Sequence, residues 1–319
     1  MTICYTLICD IRYVAPALAF YRSLRSVSGD RLRIYTLDAE AAAVARRFAL
    51  ERVEVFAPEE YIPPDVEQLR QSRSLSAFAF TLKPIVLLHA SSTGADWISY
   101  FDTDIFVFTD PARLLEGLPP DAPASFTPHR FSPAFRYYEA SVGRFNAGYV
   151  AFRNGPEGRK ILEDWRDRCV AWCQDFVEGN RYSDQKYLDE LSDIYPSIDI
   201  CRHKGANVAP WNISGMRLSL EEEQVCVDGD PLVFYHFQGL KIYGPRLFDL
   251  YASGELIVDG PLLDLVYRPY VRLLDQAYDD VTQVNRRAVE YAANPWTRTL
   301  ARFGWRQPGN LYRIDTSRA

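Results

Sequence analysis

WISYFDTDIFVF, Trp97 to Phe108, is apolar and aromatic except at Ser99, Asp102, Thr103 and Asp104. It reads as a strand that ends at, or passes through, two aspartates. A carboxylate in such a run is costly to bury unless it is paired or metal-bound. Residues i and i+2 of an extended strand face the same side, so Asp102 and Asp104 are expected to converge. Hard cations such as Mn²⁺ and Mg²⁺ take carboxylate oxygens and leave positions open for phosphates. The plainer alternative is a pair of loop aspartates capping a turn.

The flanking sequence supplies the frame. ICYTLIC near the start reads as a buried strand, APALAFYRSLRSV as a helix, RLRIYTLDA as a second strand, AAAVARRFAL as a helix and VEVFA as a third strand. That alternation predicts an α/β fold with a mostly parallel sheet flanked by helices. LSAFAFTLKPIVLLHA predicts a helix interrupted near Pro84, FNAGYVAFRN a strand, and the segment from Pro156 to Gly179 a helix. SDQKYLDELSDIYP predicts a short helix with Ser183 or Asp184 as its N-cap. Asp38 is expected in a turn. The simplest division is one catalytic domain over 1–249 and a helical C-terminal extension over 250–319.

Composition narrows the function. The 319 residues are 48% hydrophobic, enough for a large core, and the net charge of -6 argues against broad nucleic-acid binding. The cysteines at 4, 9, 169, 173, 201 and 226 form no CxxC pair. They predict reduced thiols in a cytoplasmic protein. No transmembrane helix is expected. The arginine-rich tail from Leu265 predicts weak peripheral contact with anionic lipid, against the plainer reading of a helix packed on the catalytic domain.

Five blocks occur in order: LKP at 82–84, FDTD at 101–104, FNAGYVAF at 145–152, SDQKYL at 183–188 and HFQGLK at 236–241. As a set they resemble the retaining nucleotide-sugar glycosyltransferases of the GT-A fold, family 8, which includes glycogenin and bacterial lipopolysaccharide glycosyltransferases. The resemblance implies a metal held by Asp102, Asp104 and His236, with Mn²⁺ or Mg²⁺ as the ion. It implies a nucleoside diphosphate sugar, a uridine diphosphate sugar first, bound around Tyr5, Thr6, Asp10, Lys83, Asp102, Thr103, Asp104, Asn146, Ala147, Asp184, His236, Gly239 and Lys241. Asn146 and Asp184 would hold the donor sugar and Gln185 would stand beside the anomeric carbon. The acceptor implied is a saccharide or lipid-linked glycan hydroxyl, as in lipopolysaccharide biosynthesis. The last block departs from the usual HFxGxxKPW, which puts the role of Lys241 in question.

Trp211, within NVAPWN, is expected beside a bound sugar or in the core, and His129 and Arg130 are expected at the acceptor or as loop ties. Two rival functions stand beside this one. A sugar-1-phosphate nucleotidyltransferase would share the architecture, but its glycine-rich loop is missing from CYTLICDIRY. A non-catalytic sugar-binding protein on the same fold is the other.

Overall fold

The computed structural model describes residues 1–253, 255–292 and 310–315. The strands β1 (Ile3–Cys9), β2 (Arg31–Thr36), β3 (Val53–Phe56), β4 (Trp97–Phe101), β5 (Ile105–Val107), β6 (Ala124–Pro128) and β7 (Phe145–Arg153) come first. β8 (Val177–Glu178) and β9 (Arg181–Tyr182) form a small hairpin, and β10 (Asp199–Ile200) follows. Seven of these build the central sheet in the order β10-β6-β7-β4-β1-β2-β3. Its pairs are parallel except those of β7 with β4 and β6.

Alternation along β1 feeds two cores. Ile3, Tyr5, Leu7 and Cys9 pack on one face, while Cys4 and Ile8 pack on the other. The first face is covered by α1 (Val14–Arg25) and α2 (Ala39–Arg47). After the short α3 (Pro64–Glu67), α4 (Leu75–Ala90) lies on the second face with the helix Pro156–Ala171.

Local chemistry sets the helix starts. Asp38 Oδ1 accepts from Ala41 N–H at 2.7 Å and caps α2, and its Oδ2 accepts from Ile11 N–H at 3.0 Å. Ser74 caps α4 in the same way. Pro84 does not interrupt α4, because tertiary packing on both sides outweighs one lost backbone bond. By length and composition alone, α4 with the turn that follows, through Thr93, could cross a membrane. Here it is a core helix, with Phe78, Leu82, Lys83, Val86 and Leu87 buried.

Two other elements differ from expectation. The helix from Pro156 stops at Ala171 rather than running to Gly179, and the chain turns into β8. The helix Tyr187–Ile194 has Lys186 at its N-cap position, so neither Ser183 nor Asp184 caps it. All six cysteines are free and buried.

The C-terminal helix Arg268–Val284 packs on α1 and buries Tyr270, Val271, Leu274, Ala277, Tyr278 and Val281. The apolar side expected at a lipid surface is thus inside the protein. The tail arginines at 298, 302, 306 and 318 lie outside the described residues.

Candidate functional site

Asp102 and Asp104 lie in a turn between β4 and β5, not on one strand. Their convergence therefore owes nothing to strand pleat. Three backbone pairings make it. Asp102 N–H donates to Gly148 O at 2.9 Å, tying the turn to β7. Beneath it the Phe101 ring packs against Phe20, Tyr149 and Phe234, with centroids 5.2, 4.6 and 5.3 Å away. The strand Phe234–His236 pairs antiparallel with β5, placing His236 opposite Ile105, and Phe237 N–H donates to Asp104 O at 2.8 Å.

The result is a compact trio. Nε2 of His236 is 3.0 Å from Asp104 Oδ1 and 4.0 Å from Asp102 Oδ2. Among the described residues, these three form the one group of His, Cys, Asp or Glu whose ligand atoms all lie within 4.8 Å of one another. Two carboxylates and an imidazole suit a borderline cation such as Mn²⁺. Burial raises the Asp104 carboxyl and lowers the His236 imidazole, but each offsets the other's shift: Asp104 is held below the usual carboxylate range and His236 above its ordinary value. Gly148 is required here. A Cβ on it would sit 2.7 Å from the His236 ring and 2.6 Å from Asn146 Oδ1.

Lys83 joins this trio to the expected sugar side. Its Nζ is 3.1 Å from Asp102 Oδ1, 3.5 Å from Asp184 Oδ2 and 3.1 Å from Ala147 O. Burial works against its charge, yet Asp102 and then Asp184 raise its pKa above the ordinary value. Its 3% exposure excludes an ordinary helix-surface lysine. Tyr100 donates its hydroxyl to Asp102 Oδ1 at 2.9 Å, so that oxygen is committed and Oδ2 is left facing His236.

Asp184 is 1% exposed, and burial raises its pKa despite Lys83. Its Oδ1 accepts from the Ser183 hydroxyl at 2.8 Å, whereas Oδ2 has no hydrogen-bond partner. Gln185 is fully engaged. Its Oε1 accepts from Asn146 Nδ2 at 2.9 Å and Ala147 N–H at 3.2 Å, and its Nε2 donates to Val142 O at 2.9 Å.

These groups line a cleft of ≈ 630 Å³ at the carboxyl ends of β1 and β4, a size usual for small-molecule sites, about 300–1,000 Å³. Open α/β sheets bind ligands at this edge. Asp10, Lys83, Asp102, Thr103, Asp104, Asn146, Asp184, Gln185 and His236 line it, as do His129 and Trp211. Other sequence candidates lie elsewhere. Tyr5 and Thr6 are buried within the sheet, and Thr6 donates to Ser99 O. Ala147 contributes its carbonyl to Lys83. Gly239 adopts φ +87 against the Tyr251 ring, and Lys241 is exposed on a strand paired with Asp249. Asp10, which unlike these does line the cleft, caps the turn before α1, and its Oδ2 is held by Arg12 at 2.6 Å. Arg130 ties its loop to the carbonyls of His203 and Ala206.

Sequence reasoning expected loops over a site from the proline- and aromatic-rich segment 110–144 but named no residue of one wall of the cleft, formed by Phe131, Phe135, Tyr138 and Tyr251. The aromatic density of 131–138 was a usable signal, whereas nothing local marks Tyr251.

No family model matches the chain. It is 30% identical over 258 residues to the uncharacterized protein YfnD of Bacillus subtilis strain 168, covering 79% of this chain and 82% of that one. The chain belongs to the YfnD family. A second relative, the uncharacterized protein YfnF of the same organism, is 26% identical over 251 residues, covering 76% of this chain and 83% of its own. Among solved structures, the galactosyltransferase LgtC in complex with donor and acceptor sugar analogs superposes with a TM-score of 0.54 at 14% identity, over 93% of this chain and all of that one. An active-site mutant of LgtC gives 0.53 at 13% identity, over 86% of this chain and 95% of its own. At that identity the likeness shows the fold, which is the GT-A glycosyltransferase fold expected from the sequence.

Proposed function

We propose that this protein is a metal-dependent glycosyltransferase that moves a sugar from a nucleoside diphosphate sugar to a saccharide hydroxyl, with retention of configuration. The observation that carries it is the convergence of Asp102, Asp104 and His236 beside a buried Asp184 whose Oδ2 has no hydrogen-bond partner. Asp102 Oδ2, Asp104 Oδ1 and His236 Nε2 would hold the ion. When bound, a divalent cation neutralises charge on a departing diphosphate.

The chain's own residues do the rest. Asp184 Oδ2 accepts a donor-sugar hydroxyl, and Lys83 keeps that carboxylate charged and oriented. Asn146 and the Ala147 amide fix Gln185 at the sugar. A neutral amide whose oxygen already accepts two bonds is a poor nucleophile. This supports front-face attack, in which the leaving diphosphate oxygen takes the acceptor's proton as the glycosidic bond breaks. The likeness to LgtC and the ordered blocks support family 8 membership, a uridine diphosphate donor and a glycan acceptor such as a lipid-linked saccharide, used in the cytoplasm.

The test is calorimetry of uridine, guanosine, thymidine and cytidine diphosphate sugars, with and without Mn²⁺. The expected result is Mn²⁺-dependent binding of one class, uridine first. No binding by any donor with any divalent ion would overturn the proposal.

A further inference from the structure

The aromatic wall of the cleft is held in place from the other end of the chain. The strand Lys241–Gly244 pairs with the strand Leu247–Asp249, which pairs on its other side with the C-terminal strand Leu311–Arg313. Asn310, at the start of that strand, is 6% exposed and saturated with bonds to a single loop. Its Nδ2 donates to Tyr251 O at 3.0 Å and Leu256 O at 2.7 Å. Its Oδ1 accepts from Val258 N–H at 2.9 Å, and its carbonyl accepts from Leu250 N–H at 3.0 Å. One side chain thus closes the segment from 250 to 258 upon itself, as a backbone turn would.

That segment reaches the site. Tyr251 and Ser253 line the cleft. The Tyr251 ring stands 3.0 Å from the position of a Cβ on Gly239, and Ala252 N–H donates to Gly239 O at 3.1 Å. Gly239 follows His236 by three residues, and Gln238 between them also lines the cleft. Phe131, Phe135, Tyr138 and Trp211 line the same cleft as Tyr251. The wall is aromatic, and such a surface excludes water from the reacting centre.

We propose that Asn310 is a positioning residue: it sets the Tyr251 wall of the cleft, and that wall excludes water from the reacting centre. This rests on the glycosyltransferase reading above.

The test uses the full chain with Asn310→Ala, Tyr251→Ala and the double variant. Mn²⁺ with uridine diphosphate, followed by calorimetry, reads the donor side. Release of sugar from uridine diphosphate glucose and galactose without acceptor reads the wall. In that reaction the anomeric bond to the diphosphate breaks, a bond to water's oxygen forms, and water's proton passes to solvent. Each single variant is expected to keep its nucleotide affinity and donor KM and to raise the hydrolytic kcat about tenfold, since water is no longer excluded. The double variant should exceed neither single one, because both act through one ring. Unchanged hydrolysis in Asn310→Ala, multiplicative effects, or loss of nucleotide affinity would overturn the inference. A wild type that binds no nucleotide counts against the glycosyltransferase reading instead. Where it binds none, or releases no sugar, amide exchange decides. Faster exchange at 237–240 and 250–258 in Asn310→Ala, with 97–107 unchanged, supports the latch, and uniform or absent change rejects it.

Discussion

Two turns in this protein are rich in carboxylates, and they behave differently. FDTD at 101–104 places two aspartates against a buried imidazole and a buried ammonium. EEE at 221–223 tops the hairpin of Leu218–Glu221 and Gln224–Val227, with all three side chains exposed and Glu222 and Glu223 at φ +47 and +67. Primed hairpin turns of that kind usually carry Asn or Gly, so local backbone strain adds nothing to site formation here. The second turn has more charge. Solvent screens it, and among the described residues it belongs to no convergent group of three His, Cys, Asp or Glu such as the first turn joins. A carboxylate cluster becomes a site when desolvation and convergence act together.

Breaking that convergence tests the contrast most severely at Lys83. Lys83→Met leaves Asp184 buried and the half-buried Asp102 without their cation, and a broken buried pair costs about 3–5 kcal/mol. Chemical denaturation should show that loss. A melting curve equal to wild type would mean the carboxylates relax into solvent. Next in size, Asp104→Asn should weaken Mn²⁺-dependent nucleotide binding about 100-fold, with the fold retained, since metal sites lose affinity on this scale when ligands or their partners change. Unchanged Mn²⁺ titration would sink the metal assignment.

A smaller effect sharpens the desolvation half of the comparison. His129 is 4% exposed, and burial pushes its pKa down from 6.5 to about 3. Its folded value lies below its unfolded one, so its contribution is fully present above pH 6.5 and is lost as pH falls toward 3. The slope is about 1.4 kcal/mol per pH unit in that window. His129→Gln should therefore flatten the acid limb of stability measured by denaturation between pH 6 and 4. An equally steep limb in the variant would place the acid sensitivity elsewhere. The least effect is expected at the second acidic turn. Glu222→Gln with Glu223→Gln should leave Mn²⁺ affinity and melting temperature unchanged. A loss of Mn²⁺ binding there would dissolve the contrast between the turns.

Legibility in the sequence followed the range of the interactions. The first strand, helix and strand pairs were readable because period-2 and period-3.6 apolar patterns and the cap Asp38 act within a few residues. Asp102 and Asp104 were readable as a pair, but the pleat argument was the wrong reason, since a turn between two strands aims them. Asp184 read equally as a helix cap, and only its burial beside Lys83 separates the two. Lys83 read equally as a donor-side lysine and as an ordinary helix lysine, because α4 alone does not reveal which side meets the sheet.

By itself, the sequence determined the alternating α/β frame, the apolar strand that leads into two aspartates, and the ordered blocks that resemble a glycosyltransferase. The tertiary structure decided which of those residues meet. The register of Phe234–His236 on β5 brings His236 to Asp104, antiparallel β7 brings Asn146 to the same edge, and the C-terminal strand brings Asn310 under Tyr251. Those meetings depend on pairings between segments far apart in the chain, whose closure is repaid only when the whole sheet and its two cores form together.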